Sequence, residues 1–145
     1  AIHLMKSLIS LRNVTISKIY SSKALTTDSS IKCYDYFNTA LVCECYQSPY
    51  ELLRGLQHIE KQIGRKPAQE VWLDRVIDLD ILFFGHNMIN STELIIPHIE
   101  IVKRDFVIEP VCEIIPDYFH PVEQKFLFEL KKDERIQYVT NKFLL

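Results

Sequence analysis

Asp78 and Asp80 stand one residue apart inside the run Val76-Ile77-Asp78-Leu79-Asp80-Ile81-Leu82-Phe83-Phe84. Side chains alternate along an extended chain, so Ile77, Leu79, Ile81 and Phe83 share an apolar face while Val76, Asp78, Asp80 and Leu82 share the other. The two aspartate Cα atoms then lie roughly 6.5–7 Å apart. Their apolar neighbours predict a half-buried setting, where two carboxylates repel each other and are poorly solvated. A cation relieves both costs. Magnesium suits the pair because it takes hard oxygen ligands and keeps positions open for water and phosphate, and two ions about 4 Å apart can share such a site. The same spacing also fits solvated strand aspartates paired with Arg75 or with a lysine elsewhere, so the pair alone does not name a reaction.

The elements that must position these carboxylates are legible in part. Val76 to Phe84 reads as a strand, closed by the turn signal Gly85-His86-Asn87, and Met88 to Ile96 is again extended in character. Upstream, Ser48 is placed to cap a helix, with Glu51 three residues on to reach back and Pro49 at the first helical position. Leu52, Leu56, Ile59 and Ile63 form its expected buried stripe, and Gly64 its left-handed end. Gly64 to Asp74, with Arg65, Lys66, Pro67 and Trp72, has no period and is long enough to be a functional loop.

Leu4, Met5, Leu8 and Leu11 recur at helical spacing, and Asn13 to Tyr20 has a β-favouring composition. Lys23 to Lys32 is polar enough for a loop. Tyr36 to Tyr46 alternates, with Phe37, Leu41, Cys43 and Cys45 on one face and Asn38, Ala40, Val42 and Glu44 on the other, which turns Asn38 away from the more apolar side. Pro97, Pro110, Pro116 and Pro121 punctuate short helical pieces, and Val122 to Lys131 is expected as a last amphipathic helix before an extended tail. The hairpin-like pair between Val14 and Tyr46 favours an antiparallel α+β sheet.

With 145 residues the chain suits one domain, residues 1–145. Its 48% hydrophobic and 25% charged residues, with a net charge of -2, are those of a folded globular protein and not of a disordered one. A duplex binder carries a basic excess, whereas 17 Lys and Arg here face 19 Asp and Glu, so nucleic acid is not an expected partner. Cys33, Cys43, Cys45 and Cys112 lack zinc-site spacing and read as reduced, mostly buried thiols of a reducing, cytoplasmic setting. Ala1 to Leu11 lacks a basic leader and a small-residue cleavage site and reads as an amphipathic helix. No apolar run is long enough to span a bilayer, so no membrane partner is expected.

Taken together, Trp72-Leu73-Asp74-Arg75-Val76-Ile77-Asp78-Leu79-Asp80-Ile81-Leu82-Phe83 resembles the signature of the hydroxymethyl-dihydropterin pyrophosphokinase family. Tyr34-Asp35-Tyr36-Phe37-Asn38-Thr39-Ala40 is similar to the family's pterin-side strand, and His58-Ile59-Glu60 through Gly64-Arg65 to the helix leading into its catalytic loop. Leu94-Ile95-Ile96-Pro97-His98, Arg104-Asp105-Phe106-Val107 with Pro110, and Ile114-Ile115-Pro116 with His120-Pro121 follow in the family's order. The resemblance runs from about Leu4 to Pro121.

It implies a ferredoxin-like antiparallel sheet flanked by helices in α-β-α layers. It also implies transfer of the terminal diphosphate of ATP to the hydroxymethyl group of a reduced pterin in folate biosynthesis, releasing AMP. In that reading Asp78 and Asp80 hold two magnesium ions, and Arg65 and Arg75 neutralise charge on the transferring group, work to which a planar guanidinium is suited. Tyr36 and Phe106 stack the pterin and Asn38 bonds its edge, with Ser22 and Leu25 alongside. Gln57, Glu60, Trp72, Ile81, Leu94, His98 and Arg104 are implied on the ATP side, Trp72 in a loop that closes over the site. ATP and hydroxymethyl-dihydropterin are the small-molecule partners. Some family members are fused to neighbouring enzymes of folate synthesis, which makes those enzymes candidate partners.

The family opens on a strand and a Gly-Ser-Asn turn that no residue from Ala1 onward matches, so the expected sheet lacks its first strand. Leu73 and Asp74 replace the small residue and proline usual before the motif arginine, and Pro67 replaces a second loop arginine. These departures keep two alternatives beside the kinase. One is a degenerate member acting as a binding or assembly domain. The other is a different metal-dependent nucleotidyl or phosphoryl transferase built on the same aspartate strand.

Overall fold

Local capping chemistry fixes the longest helix. Ser48 Oγ accepts from the Glu51 N–H while the Glu51 carboxylate accepts from the Ser48 N–H at 2.8 Å, and Gly64 closes the far end at φ 110. Pro49–Ile63 (α2) lies between them, as the sequence predicts. Its buried residues are Leu52, Leu56, Ile59 and Glu60. Ile63, expected in that stripe, is only half-buried, and a carboxylate takes the inward position one turn after Leu56. Ser48→Ala is expected to lower stability by about 1 kcal/mol, read as a fall in the thermal midpoint with kcat unchanged.

A computed structural model describes residues 1–23, 35–64, 76–133 and 137–143. Most of the expected loop from Lys23 to Lys32, the loop from Gly64 to Asp74 beyond Gly64 itself, and the candidate residues Leu25, Arg65, Trp72 and Arg75 lie outside the described residues. The chain divides into two compact units, Ala1–Asn13 with Cys43–His98, and Val14–Val42 with Ile99–Leu145.

In the first unit, Ile2–Leu8 (α1) packs against α2. Gln47 Nε2 donates to the Ile9 carbonyl at 2.8 Å, and a Cβ on Gly55 would stand 3.3 Å from the Ile9 side chain, so the missing side chain permits the close approach. Gly85 at φ 52 and the bond from Asn87 N–H to the Phe84 carbonyl form the expected turn. Met88 to Ile96 is a tight hairpin instead of one extended run. Ile89–Asn90 (β5) pairs antiparallel with Ile95–Ile96 (β6), and the Ser91 hydroxyl accepts the Leu94 N–H across the turn.

The strand expected from Asn13 to Tyr20 is two strands, Arg12–Ile16 (β1) and Ile19–Ser22 (β2), and Tyr36 to Tyr46 is likewise Tyr36–Asn38 (β3) and Leu41–Glu44 (β4). β1 pairs with β4, and β2 antiparallel with β3. Both interruptions meet at Ser17, whose N–H donates to the Ala40 carbonyl and whose Oγ accepts the Ala40 N–H, each at 2.9 Å. A side chain has taken over a ladder bond there, so each strand is broken at the same level.

In the second unit β2 is central, flanked by β3 and by Val139–Phe143 (β9), both antiparallel. Tyr20, Ser21 and Ser22 are buried in consequence. Asp105–Ile114 (α3) covers this sheet, and Tyr20 Oη donates to Glu113 at 2.6 Å. Burial and the Glu113 charge raise the Tyr20 phenol above its ordinary range. Pro110 sits inside α3 and not at its boundary, contrary to the expectation that it punctuates helices. Phe37, assigned to the apolar face, is 70% exposed, and the less exposed side of β3 is the one carrying half-buried Asn38.

The helix expected from Val122 to Lys131 is confined to Leu127–Leu130 (α4). Before it, Phe119–His120 (β7) pairs antiparallel with Lys125–Phe126 (β8), bringing the rings of Phe119 and Phe126 to 5.3 Å. Gln124 turns the chain at φ 55, which an α-helix cannot contain.

His120 is 3% exposed and its Nδ1 accepts the Glu123 N–H at 3.1 Å. Burial pushes its pKa below the ordinary 6.5, with the Glu123 charge opposing. The unfolded chain therefore binds this proton more readily than the folded one, so stability rises with pH in this window. The thermal midpoint is expected to hold above about pH 7 and to fall as pH drops below the unfolded His value. His120→Asn, which keeps an acceptor, should flatten that slope; identical slopes in both proteins would contradict the assignment.

Cys43, Cys45 and Cys112 are free, and burial raises all three thiols above their usual range, which keeps them protonated. Among the described residues, no helix is long and apolar enough to cross a membrane.

Candidate active site

Glu60 is the residue through which α2 reaches the aspartate pair. It is 3% exposed, and its Oε1 accepts the N–H of Leu79, the residue between Asp78 and Asp80, at 2.8 Å. Exposure alternates along the segment: Val76, Asp78 and Asp80 are exposed, Ile77 and Leu79 half-buried, Ile81 buried. The period of two expected from the sequence is present.

A strand is not. Residues 77–84 are extended without joining a ladder, and at Leu79 the N–H is taken by a carboxylate where a strand would bond a neighbouring backbone. Further along, the Leu82 carbonyl accepts the His98 N–H at 3.0 Å. The aspartate segment is thus fastened from two sides within one unit. The expected half-buried setting is also corrected: both aspartates are exposed, so mutual repulsion, and not desolvation, is what a cation would relieve.

Among the described residues no group of three or more His, Cys, Asp and Glu side chains is close enough to hold a metal ion. Two exposed carboxylates on one side of an extended segment fit a hard cation that completes its shell with water and phosphate oxygens, and do not form an all-protein cage. Of the residues implied on the ATP side, Gln57 is exposed on α2, Ile81 and Leu94 are buried, and His98 is half-buried after β6, all in the same unit as the aspartates.

The pterin-side candidates belong to the other unit, as does Arg104. Asn38 Nδ2 donates to Ser22 Oγ at 2.9 Å, so two predicted residues are brought together across β2 and β3. With Nδ2 so engaged, the Asn38 carbonyl oxygen is the atom able to accept from a ligand N–H. Tyr36, opposite Ser22, is 40% exposed. Phe106, in the first turn of α3, is half-buried, and the Arg104 guanidinium lies 5.6 Å from its ring centroid while pairing with Glu100.

Two residues escaped the sequence reading. Asp105 is 7% exposed and bonds the C-terminal segment, and Tyr138 meets the Phe106 ring. An Asp at a helix start is a familiar capping signal, but its long-range partners leave no local trace.

Residues 1–116 match the 7,8-dihydro-6-hydroxymethylpterin-pyrophosphokinase (HPPK) family. A 2-amino-4-hydroxy-6-hydroxymethyldihydropteridine pyrophosphokinase of Aquifex aeolicus is 34% identical over 122 residues, 84% of this chain and 74% of that protein. The protein of the same name from Haemophilus influenzae is 40% identical over 111 residues, 77% of this chain and 67% of its own length. A folate synthesis bifunctional protein of Chlamydia caviae is 33% identical over 118 residues, 80% of this chain but 26% of that longer protein. A match over residues 1–116, with relatives 34% and 40% identical over most of their own lengths, shows that the chain belongs to the 7,8-dihydro-6-hydroxymethylpterin-pyrophosphokinase family.

Proposed function

We infer that this chain transfers diphosphate from ATP to the hydroxymethyl group of 6-hydroxymethyl-7,8-dihydropterin in folate synthesis, releasing AMP. The observation that carries the reading is the pair of exposed carboxylates, Asp78 and Asp80, on a segment held by Glu60 inside the stretch matched to the family. The hydroxymethyl oxygen forms a bond to the β-phosphorus of ATP, the bond from that phosphorus to the α,β-bridging oxygen breaks, and AMP departs with the electron pair. The hydroxyl proton passes to solvent or to phosphate.

Asp78 and Asp80 are the residues that would hold magnesium, which supplies charge neutralisation at the phosphate oxygens. Arg65 and Arg75 add guanidinium charge to the transferring group. Tyr36 and Phe106 clamp the flat pterin, and the Asn38 carbonyl accepts from its edge, with Ser22 fixing the Asn38 amide and Leu25 beside it. Gln57, Glu60, Trp72, Ile81, Leu94, His98 and Arg104 serve the nucleotide. The antiparallel pairing of β2 with β3 and β9 under α3 supports a ferredoxin-like layering within the second unit, and residues 1–145 are read as one pyrophosphokinase-like domain. A cytoplasmic location accords with the free thiols.

Calorimetry tests the reading against a degenerate binding domain. Titration of a non-hydrolysable ATP analogue with magnesium, followed by the pterin, is expected to give binding of both in the micromolar range or tighter. Absence of binding for both ligands would overturn the assignment.

A further inference from the structure

We propose that residues 137–143 complete the pterin side of the site and that Tyr138 is a positioning residue for Phe106, held there by the Asp105 carboxylate. This rests on the reading of Phe106 as a pterin-stacking ring. Asp105 directly precedes Phe106 and is buried, yet its two oxygens are occupied by three backbone N–H groups. Oδ1 accepts from Phe106 at 2.7 Å, and Oδ2 from Tyr138 at 2.8 Å and Val139 at 2.9 Å. Three backbone N–H groups from two separate segments converge on this one side chain, which locks the start of α3 to the C-terminal segment.

The consequence for the ring is direct. Tyr138 meets Phe106 with centroids 5.7 Å apart and planes at 68°, the edge-to-face arrangement that fixes an aromatic plane. A flat heterocycle stacks well only on a ring whose plane is already set, because otherwise binding must freeze that rotor.

The same segment also sets the other pterin-side residues. The Tyr138 carbonyl accepts the Lys23 N–H at 3.1 Å, Val139 lies opposite Ser22, and Thr140 Oγ1 donates to the Ser21 carbonyl at 3.2 Å. Ser22 is the residue that engages the Asn38 amide. Residues 137–143 therefore touch both Phe106 and the strand that orients Asn38, although they lie beyond the stretch 1–116 matched to the family.

Pterin affinity, measured calorimetrically with magnesium and a non-hydrolysable ATP analogue present, separates the claims when combined with kcat and KM. Tyr138→Ala is expected to weaken pterin binding and raise the pterin KM by about five- to tenfold, with kcat and analogue affinity within about twofold. Tyr138→Phe should restore wild-type values. Should Tyr138→Ala lose its folded circular dichroism spectrum, Tyr138→Leu, which keeps apolar bulk without a ring, is expected to show the same pterin loss. Phe106→Ala controls the underlying reading and is expected to lose at least as much. Wild-type pterin affinity in the Tyr138 variants, beside a damaged Phe106→Ala, overturns this inference and leaves the pterin site standing. Equal losses of pterin and nucleotide affinity in the Tyr138 variants also overturn it, by showing a general structural effect. Undiminished affinity in Phe106→Ala removes the pterin assignment and this inference with it.

Discussion

Asp80→Ala is expected to lower kcat by about a thousandfold, ~4 kcal/mol in the barrier, while the thermal midpoint stays within about 2 °C of the parent. The two halves of this expectation come from different observations. Asp80 is exposed, so its removal leaves no cavity and no buried group without a partner. The chemistry is another matter, because phosphoryl-type transfer leans almost entirely on positioning and on neutralising charge, and an alanine withdraws one of two adjacent hard-oxygen donors. Steady-state rates over a magnesium titration provide the check. A kcat within threefold of wild type at saturating magnesium would remove Asp80 from the site.

Glu60→Leu is expected to cost about a hundredfold in kcat and to destabilise the fold by roughly 1–3 kcal/mol. The buried carboxylate accepts the Leu79 N–H, and a leucine of similar volume leaves that donor without its acceptor and the aspartate segment without its tether to α2. Displacements near 1 Å are enough to produce rate losses of this order. Glu60→Gln keeps a carbonyl oxygen in place and is expected to retain kcat within about fivefold of the parent. This pair of variants also separates two roles for Glu60. If Gln is as damaging as Leu, the charge is what counts, as it would for direct contact with the nucleotide. If Gln rescues, the hydrogen bond to Leu79 is what counts.

Such a distinction was out of reach of the sequence, and the reason is physical. Ser48, Pro49, Glu51 and Gly64 announce α2 because capping is settled among residues three or four apart. The alternation of Ile77, Asp78, Leu79 and Asp80 is legible for the same local reason, since extended backbone imposes a period of two whether or not a ladder forms. What the backbone bonds to is not local. Glu60 at Leu79, Ser17 at Ala40, and Asp105 at Tyr138 and Val139 each replace or add a main-chain bond from a distant side chain. Those substitutions turned an expected strand at residues 76–84 into an extended segment and broke two long strands into four. Near the C-terminus the apolar residues of Val122 to Lys131 mimic helical spacing, but Gln124 turns the chain and pairs Phe119 with Phe126.

The proposed pterin side shows the same division. Asn38 is conspicuous because a carboxamide in an apolar strand must find partners, and it finds Ser22. Tyr36 and Phe106 are ordinary aromatics to any pattern of hydropathy, and only their likeness to the family's motifs picked them out. Tyr138, beyond that likeness, could be found only from coordinates.

The most direct test of diphosphate transfer is the identity of both products. With magnesium, ATP and 6-hydroxymethyl-7,8-dihydropterin, mass spectrometry should detect AMP and a pterin carrying two phosphates in equal amounts, with no AMP when the pterin is omitted. ADP with a singly phosphorylated pterin, or no nucleotide turnover by the folded full chain, would contradict the account.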